Sequence, residues 1–475
     1  MSTTDAGFYF AESENTPMHV GSVALFEGPA PSYGDVVRLL VGKLPQVPRY
    51  RQRVRPVPMH LGNPVWVDDE HFQILYHVRH SAVPRPGGPE QLRNLAGRVL
   101  GQRLDTAKPL WEVWLVEGLP EGRWALISKI HHCMVDGVAG TDLMQLIFDL
   151  DPRAEHPEPR DDWRPEHSPS TLALVADTVQ GAVVNPVRVL SAVPGVLAAA
   201  LRAPGELVQR GAAVGAGLPA LARQVTAPVA RSLNGPIGPH RRWAWTEAAL
   251  DDVKRVRAGL GGTVNDVVLA AITTGFRDLL DQRGELRDGL AVRSMVPVSV
   301  RSSEQRGALD NQVSAVYVDL PVGEPDPVAR LADLRGQMDR HKRLMGAVDA
   351  RTIVAMGDFV APTLMALGMR AALRTGQPWT QAVTTNVPGP PVPLYVLGRQ
   401  MRSLYAYVPI AFGIRLSIGI YSYRGAMTFG INADFDAYPD VDVLADGIRR
   451  GMDELVALAA PGAAGVARAA DRSRV

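Results

Sequence analysis

Cysteine is almost absent, with Cys133 the single thiol in 475 residues. One thiol excludes an intramolecular disulfide framework and any cysteine-based zinc site, and it fits a reducing compartment, so the cytosol is the expected location. Lysine is scarce too, five of the 50 basic residues, which reflects an arginine-favouring genome more than a function. Charge of one sign is not in excess: the net charge of +1 gives no bulk attraction for nucleic acid or an anionic surface. The opening MSTTDAGFYFAESENTP lacks the basic start and apolar core of an export signal. Long apolar runs are also missing. Val189 to Leu201 and Gly211 to Ala222 are 13 and 12 residues long, contain Pro or Gly, and end at arginines. A bilayer span needs roughly 20 apolar residues, so neither qualifies.

What is present is an ordinary globular composition, 46% hydrophobic and 21% charged, in a chain longer than one core usually organises. Two domains are expected. Residues 1–155 mix period-two runs (WVDDEHFQILYHV, LWEVWLVEGL, WALISKI) with helical segments (DVVRLLVGKL, PEQLRNLAGRVLGQRL), an α/β pattern. Residues 156–240 read as a linker followed by a connector. Their first part continues the charged, Pro-rich stretch that begins at Asp151, and the rest consists of apolar helices broken at Pro186, Pro194, Pro204 and Pro219. That connector carries Asp177 and Glu206 against Arg188, Arg202, Arg210, Arg223 and Arg231. Residues 241–460 return to α/β, with strands expected in LAVRSMVPVSV, VSAVYVDL, LSIGIYSY and AMTFGINAD and a helix over 264–283 closed by Gly284. Residues 461–475 are expected to be a disordered tail.

The stretch ALISKIHHCMVDGVAG holds the chemistry. Alternating side chains of a strand point to opposite faces, so His131 and His132 cannot both address one cavity from regular strand geometry. A metal site needs three converging ligands, which adjacent strand-end histidines serve poorly, so no metal is expected. A satisfied histidine pair at a strand end is one reading. The other is a general base, an imidazole with an ordinary pKa of about 6.5 entering a cleft to take a proton from an alcohol or amine. Asp136 then fixes the turn or the ring, and Gly137 gives the loop its backbone freedom. No G-x-S-x-G occurs, so direct attack without a covalent acyl-enzyme is the simpler chemistry.

Other residues carry two readings each. Pro109, Leu110 and Trp111 either start a strand and bury an indole or shape a substrate tunnel. Asn265 and Asp266 stand at a helix start, where both residue types cap, or Asn265 contacts substrate. Thr384 to Pro390 is expected to turn at a domain interface with Asn386 holding backbone. Arg49, Arg51, Arg53 and Arg55 alternate, so in a strand they would share one face, and one of them could pair with Asp136.

H-H-x-x-x-D-G, filled by His131, His132, Asp136 and Gly137, resembles the signature of the CoA-dependent acyltransferase superfamily, which includes chloramphenicol acetyltransferases and peptide-synthetase condensation domains. The same string satisfies the weaker H-x-x-x-x-D spacing of glycerol-phosphate acyltransferases. The rest of the chain narrows the resemblance. TPMHVGSVALFEG, LDTAKPLWEVWLVEGL, LNGPIGPHRRWAW, TVNDVVLAAI, MVPVSVR, TTNVPGPPVPLYVLGR and SYRGAMTFGINADFDAYPD follow in order, and together they are similar to a bacterial wax ester synthase/diacylglycerol acyltransferase. Thr385 stands where that family often has Ser. The resemblance implies two chloramphenicol-acetyltransferase-like domains joined by a helical connector, with the active site in a tunnel between them. It implies that the second histidine, His132, is the base and that acyl-CoA is the donor. The acceptor would be diacylglycerol or a long-chain alcohol, with no metal and no cofactor beyond the acyl-CoA substrate. It also implies a cytoplasmic protein lying peripherally on a membrane or lipid droplet, with no nucleic-acid partner. Two rivals stay open: a transferase using a carrier-protein-bound acyl group, and a lipid-surface binding protein without activity.

Overall fold

The computed structural model describes residues 1–58, 61–135, 146–156, 158, 163–176, 230, 232–299, 313–347 and 379–460. Its strands in chain order are β1 (His19–Phe26), β2 (Gln52–Arg55), β3 (Val65–Asp68), β4 (Val78–Ala82), β5 (Trp111–Glu117), β6 (Trp124–His131) and β7 (Arg241–Ala249). Then follow β8 (Val292–Ser299), β9 (Val313–Leu320), β10 (Ala382–Pro388), β11 (Tyr395–Val396), β12 (Arg399–Tyr407), β13 (Leu416–Tyr423) and β14 (Ala426–Asp434). The helices used below are α1 (Thr3–Phe10), α2 (Tyr33–Lys43), α3 (Ile74–His77), α4 (Pro89–Gly101), α5 (Leu250–Leu260), α6 (Val264–Gln282), α7 (Pro327–Ala347) and α8 (Val441–Leu458).

These elements build an α/β fold around two six-stranded sheets, ordered β11-β12-β1-β6-β5-β4 and β7-β14-β13-β10-β8-β9. In the first sheet β6 is buried along its whole length. Its alternation explains why: Trp124, Leu126 and Ile130 join the cluster under α2, whereas Ala125 and Ile127 join the one under α4. The second sheet lays Ile418, Ile420, Phe429 and Ile431 against α6 and α8 in one large apolar cluster.

The two sheets are not confined to the two halves of the chain. β12 leaves the second half and pairs antiparallel with β1, from Gly21 opposite Tyr407 to Phe26 opposite Met401. A boundary at residue 241 therefore separates sequence but not strand pairing. β12 also crosses β13 and β14 closely: Thr428 Oγ1 donates to the Leu404 carbonyl at 2.5 Å, and Asn432 Nδ2 donates to that of Val408 at 2.8 Å. Gly430 permits the crossing, because a Cβ there would overlap the Ala406 carbonyl. On the other side β7 rests on α4, where a Cβ on Gly97 would meet the Arg241 carbonyl.

Four expectations change. The run WVDDEHFQILYHV is not one strand: β3 ends at Asp68, and Asp69 turns the chain by accepting from the His71 amide at 3.2 Å before α3 begins. The arginines from 49 to 55 do not share one strand face, because Pro48–Arg51 is a 3-10 turn and only Arg53 and Arg55 lie in β2. Thr384 to Pro388 is not a turn but the body of β10, parallel to β13 with Asn386 opposite Ile420; the chain leaves the sheet at Gly389. The Pro-rich stretch after Asp151 is not a free linker in its described part. The amides of Glu166 and Ser168 donate to Asp68 and Glu70, Arg55 donates to the Pro169 carbonyl, and Trp163 packs on Phe72. Of the helical connector, residues 171–176 are helical and 177–229 lie outside the described residues, as does the tail at 461–475.

Candidate active site

β6 ends at His131, and the next three residues, His132–Met134, form a 3-10 turn. His131 is itself the cap of that turn: its Nδ1 accepts a hydrogen bond from the Cys133 amide at 3.1 Å. Two backbone bonds hold the strand end from either side, since the His131 amide donates to the Leu110 carbonyl at 2.9 Å and the His132 amide to that of Met18 at 2.8 Å. The change from strand to turn resolves the paradox of adjacent histidines. His131 stays in the sheet, fully buried, and His132 is delivered by the turn, partly exposed.

The His132 ring lies flat on Phe8 of α1, centroids 3.8 Å apart with 18° between planes. Its Nδ1 is buried and has no hydrogen-bond partner among the described residues. Desolvation lowers the pKa of His132 from 6.5 to about 4, and desolvation, followed by the charge of His132 and Arg103, lowers that of His131 to about 3. Burial disfavours the charged imidazolium, so both rings are neutral at pH 7 and His132 has a lone pair to offer. Opposite His131 in the ladder sits buried His19, whose Nε2 donates to the Leu100 carbonyl at 2.6 Å; desolvation holds its pKa well below 6.5. Next along β6, buried Lys129 donates to the Gln102 carbonyl at 2.7 Å and lies 3.6 Å from Glu112.

Pro109, Leu110 and Trp111 precede and open β5, all buried. Trp111 Nε1 donates to the Tyr50 carbonyl at 2.8 Å and its ring stacks on His77, so the indole is part of the core, and the Leu110 carbonyl supports His131. Asp266 and Thr263 form a reciprocal capping box on α6: the Thr263 amide donates to the carboxylate at 2.7 Å and the Asp266 amide to the hydroxyl at 3.3 Å. Asn265 beside it is half-buried, as is Asn386 in β10. Asp136 and Gly137, and with them any pairing of Asp136 with an arginine, lie outside the described residues. Among the described residues no group of His, Cys, Asp or Glu could hold a metal ion, and no helix is long and apolar enough to cross a membrane.

Sequence reasoning missed Phe8 and Glu12. Glu12 is a buried carboxylate, 3.7 Å from His131 Nε2, bonded to Arg103 at 2.9 Å and to the Met18 amide at 3.4 Å. No spacing rule ties either residue to the histidines more than a hundred positions away. The only available signal was that both stand in the apolar-aromatic and acidic lead into TPMHVG.

The paired sheets define an architecture of the condensation type. The chain is similar to the starter condensation domain of rhizomide synthetase, with a TM-score of 0.56 at 15% identity over 97% of this chain and 94% of that one, a likeness of fold alone. It is closer to the wax ester synthase/diacylglycerol acyltransferase of Marinobacter aquaeolei VT8, with a TM-score of 0.66 and 26% identity over 96% and 98% of the two chains. Residues 1–268 match the wax ester synthase/diacylglycerol acyltransferase catalytic domain and residues 309–456 the C-terminal domain of the same family. Two Mycobacterium tuberculosis proteins described as probable diacylglycerol O-acyltransferases are similar along most of their length. One, tgs1, is 36% identical over 96% of each chain, and the other, tgs2, is 32% identical over 91% of this chain and 93% of its own. The chain belongs to the wax ester synthase/diacylglycerol acyltransferase family, and it is an acyltransferase.

Proposed function

We propose that the protein transfers a long-chain acyl group from acyl-CoA to the hydroxyl of diacylglycerol or a long-chain alcohol, with His132 as general base. The acceptor oxygen attacks the thioester carbonyl as the His132 lone pair takes its proton, the carbon–sulfur bond breaks, and the imidazolium returns the proton to the departing CoA thiolate. Triacylglycerol or wax ester and free CoA are the products, and every proton is accounted for without a metal or a redox group.

The observation that carries this reading is the division of labour at the end of β6. His131 is fully buried and spent on capping the turn, whereas His132 is neutral, partly exposed and stacked on Phe8. Its lowered pKa is shared with buried His19, His77 and His131, so placement in the turn, not the shift, distinguishes His132. Asp136 and Gly137, which follow in the same loop, shape the turn in this reading and do not touch the reacting atoms. Asn265 and Asn386 line the approach of the acceptor or the thioester, while Pro109, Leu110 and Trp111 back the wall behind His131.

The enzyme works at a lipid surface, since its acceptors do not dissolve. The apolar stretches between residues 170 and 232, with five arginines against two acids, fit attraction to anionic lipid.

Purified protein with radiolabelled palmitoyl-CoA and dioleoylglycerol tests the reading. Free CoA and labelled triacylglycerol are expected. Inertness unless the acyl group is offered on a carrier protein would transfer the donor assignment to the carrier, and lipid binding without turnover with any donor would remove the enzymatic reading.

A further inference from the structure

The ring of His131 carries information that its burial alone does not. Nδ1 accepts from the Cys133 amide, so it must hold a lone pair, and in a neutral imidazole the proton then sits on Nε2. That Nε2 is buried, without a hydrogen-bond partner among the described residues, and 3.7 Å from Oε1 of Glu12. The Glu12 side chain is only 3% exposed. Its other oxygen pairs with Arg103 at 2.9 Å, and Oε1 also accepts from the Met18 amide at 3.4 Å. The carbonyl of that same Met18 accepts the His132 amide. One buried carboxylate thus stands between the two tethers of the turn: the His131 ring on one side and the Met18 peptide on the other.

We propose that Glu12 is a positioning residue that selects the tautomer of His131 and thereby sets the turn that presents His132. The inference rests on the acyltransferase reading for its kinetic consequence but not for its structural content. With the carboxylate beside Nε2, the Nε2–H tautomer is favoured, Nδ1 remains an acceptor, and the Cys133 amide closes the turn. In the other tautomer Nδ1–H would confront the Cys133 N–H, the cap would open, and His132 would lose its fixed register on Phe8. Arg103 pairs with the other carboxylate oxygen from the outside of the fold and fixes its orientation. Glu12 touches no reacting atom and acts only through His131.

The test uses the full chain, with Glu12→Ala and Glu12→Gln variants and histidine side chains labelled with nitrogen-15. The His131 signal is assigned by its disappearance in His131→Gln. In the wild type His131 should show an unprotonated Nδ1 and a protonated Nε2. Glu12→Ala should mix the tautomers and lower kcat on the order of 10-fold, by analogy with the partners that orient metal-bound histidines, with KM for acyl-CoA within about twofold. Glu12→Gln keeps an oxygen acceptor and should recover most of the rate and the single tautomer. A wild-type His131 protonated at Nδ1 would overturn the proposal. So would Glu12→Ala with wild-type rate, or the two variants impaired equally with an unaltered His131 spectrum, which is the pattern of a packing role. If Glu12→Ala fails to fold, the wild-type spectrum and Glu12→Gln still decide. The spectra read the tautomer even if the wild-type protein transferred no acyl group, so failure of the acyltransferase reading and failure of this one are distinguishable.

Discussion

The two sheets solve different problems. The second, from β7 to β9, packs one continuous apolar cluster against α6 and α8, with no histidine in any of its strands. The first, which ends in the candidate site, buries His19, Glu112, Lys129 and His131 along three adjacent strands and splits its apolar residues into clusters on two faces. Buried polar groups destabilise unless they are bonded, and here most are: His19 to the Leu100 carbonyl, Lys129 to the end of α4, His131 to the Cys133 amide. The first sheet therefore places a bonded polar lattice behind His132; the second also buries polar groups, among them Arg293 and Asp434, but no histidine. Borrowing β12 from the second half strengthens the β1 side of that lattice and ties the two sheets together. The second sheet carries one large apolar cluster, and the first carries the candidate site.

The largest effect that would sharpen this contrast is on stability. Phe276 of α6 is fully buried in the second sheet's cluster, and Phe276→Ala should destabilise by roughly 3–5 kcal/mol. Activity per folded molecule should be unchanged at a temperature where the variant is folded. Denaturant unfolding with an activity assay on the same samples checks both halves of that expectation.

Acid should find the other sheet. His77 titrates at about 4 and His131 at about 3 in the folded state, and His19 well below 6.5, in each case with burial as the main cause. Between 6.5 and those values the unfolded chain binds more protons than the folded one, so stability is full above 6.5 and falls as pH drops. Each group contributes a slope approaching about 1.4 kcal/mol per pH unit inside its window. Melting curves from pH 7 to 4.5 should show this loss, and His77→Gln should flatten it by one group's share. An unchanged slope in that variant would mean that His77 is already charged in the folded protein.

A smaller effect separates capping from substrate contact at α6. Loss of the Thr263–Asp266 capping box in Asp266→Ala should cost about 1 kcal/mol with little change in KM. A raised KM at unchanged stability would instead make Asp266 part of the substrate path.

Much of this was legible in the sequence, for reasons that differ by element. The helix expected over 264–283 appears as α6 because apolar periodicity and Thr263 with Asp266 speak locally, and the strands of residues 313–320, 416–423 and 426–434 alternate as the pleat requires. β10 was hidden because Pro388 and Gly389 look like a turn, yet they stand where the strand stops, and a proline at the end of a strand need not donate within it. Arg49 and Arg51 alternate with Arg53 and Arg55, but Pro48 fixes the first pair in a 3-10 turn. The pairing of β12 with β1 was invisible, because register between strands nearly 400 residues apart leaves no local mark. In the site, the histidine pair was a readable motif; the surroundings that distinguish its members, Phe8, Glu12 and the Leu110 and Met18 carbonyls, come from two segments, residues 8–18 and Leu110, that only the fold brings to it.

The most direct measurement compares His132→Ala with His131→Ala in acyl transfer from palmitoyl-CoA to dioleoylglycerol, with melting followed in parallel. His132→Ala should lose about 100-fold or more in kcat, the usual contribution of a general base, with a smaller loss of stability than His131→Ala, because the His131 cap stays in place. His131→Ala should lose stability together with rate, since it removes the cap of the turn. In the wild type the acid limb of kcat/KM should fall near the lowered pKa of His132, about 4, rather than at 6.5, with rate lost as the base is protonated. Near-wild-type turnover in His132→Ala, with the rate abolished in a fully stable His131→Ala, would contradict the assignment and give the base to the buried ring.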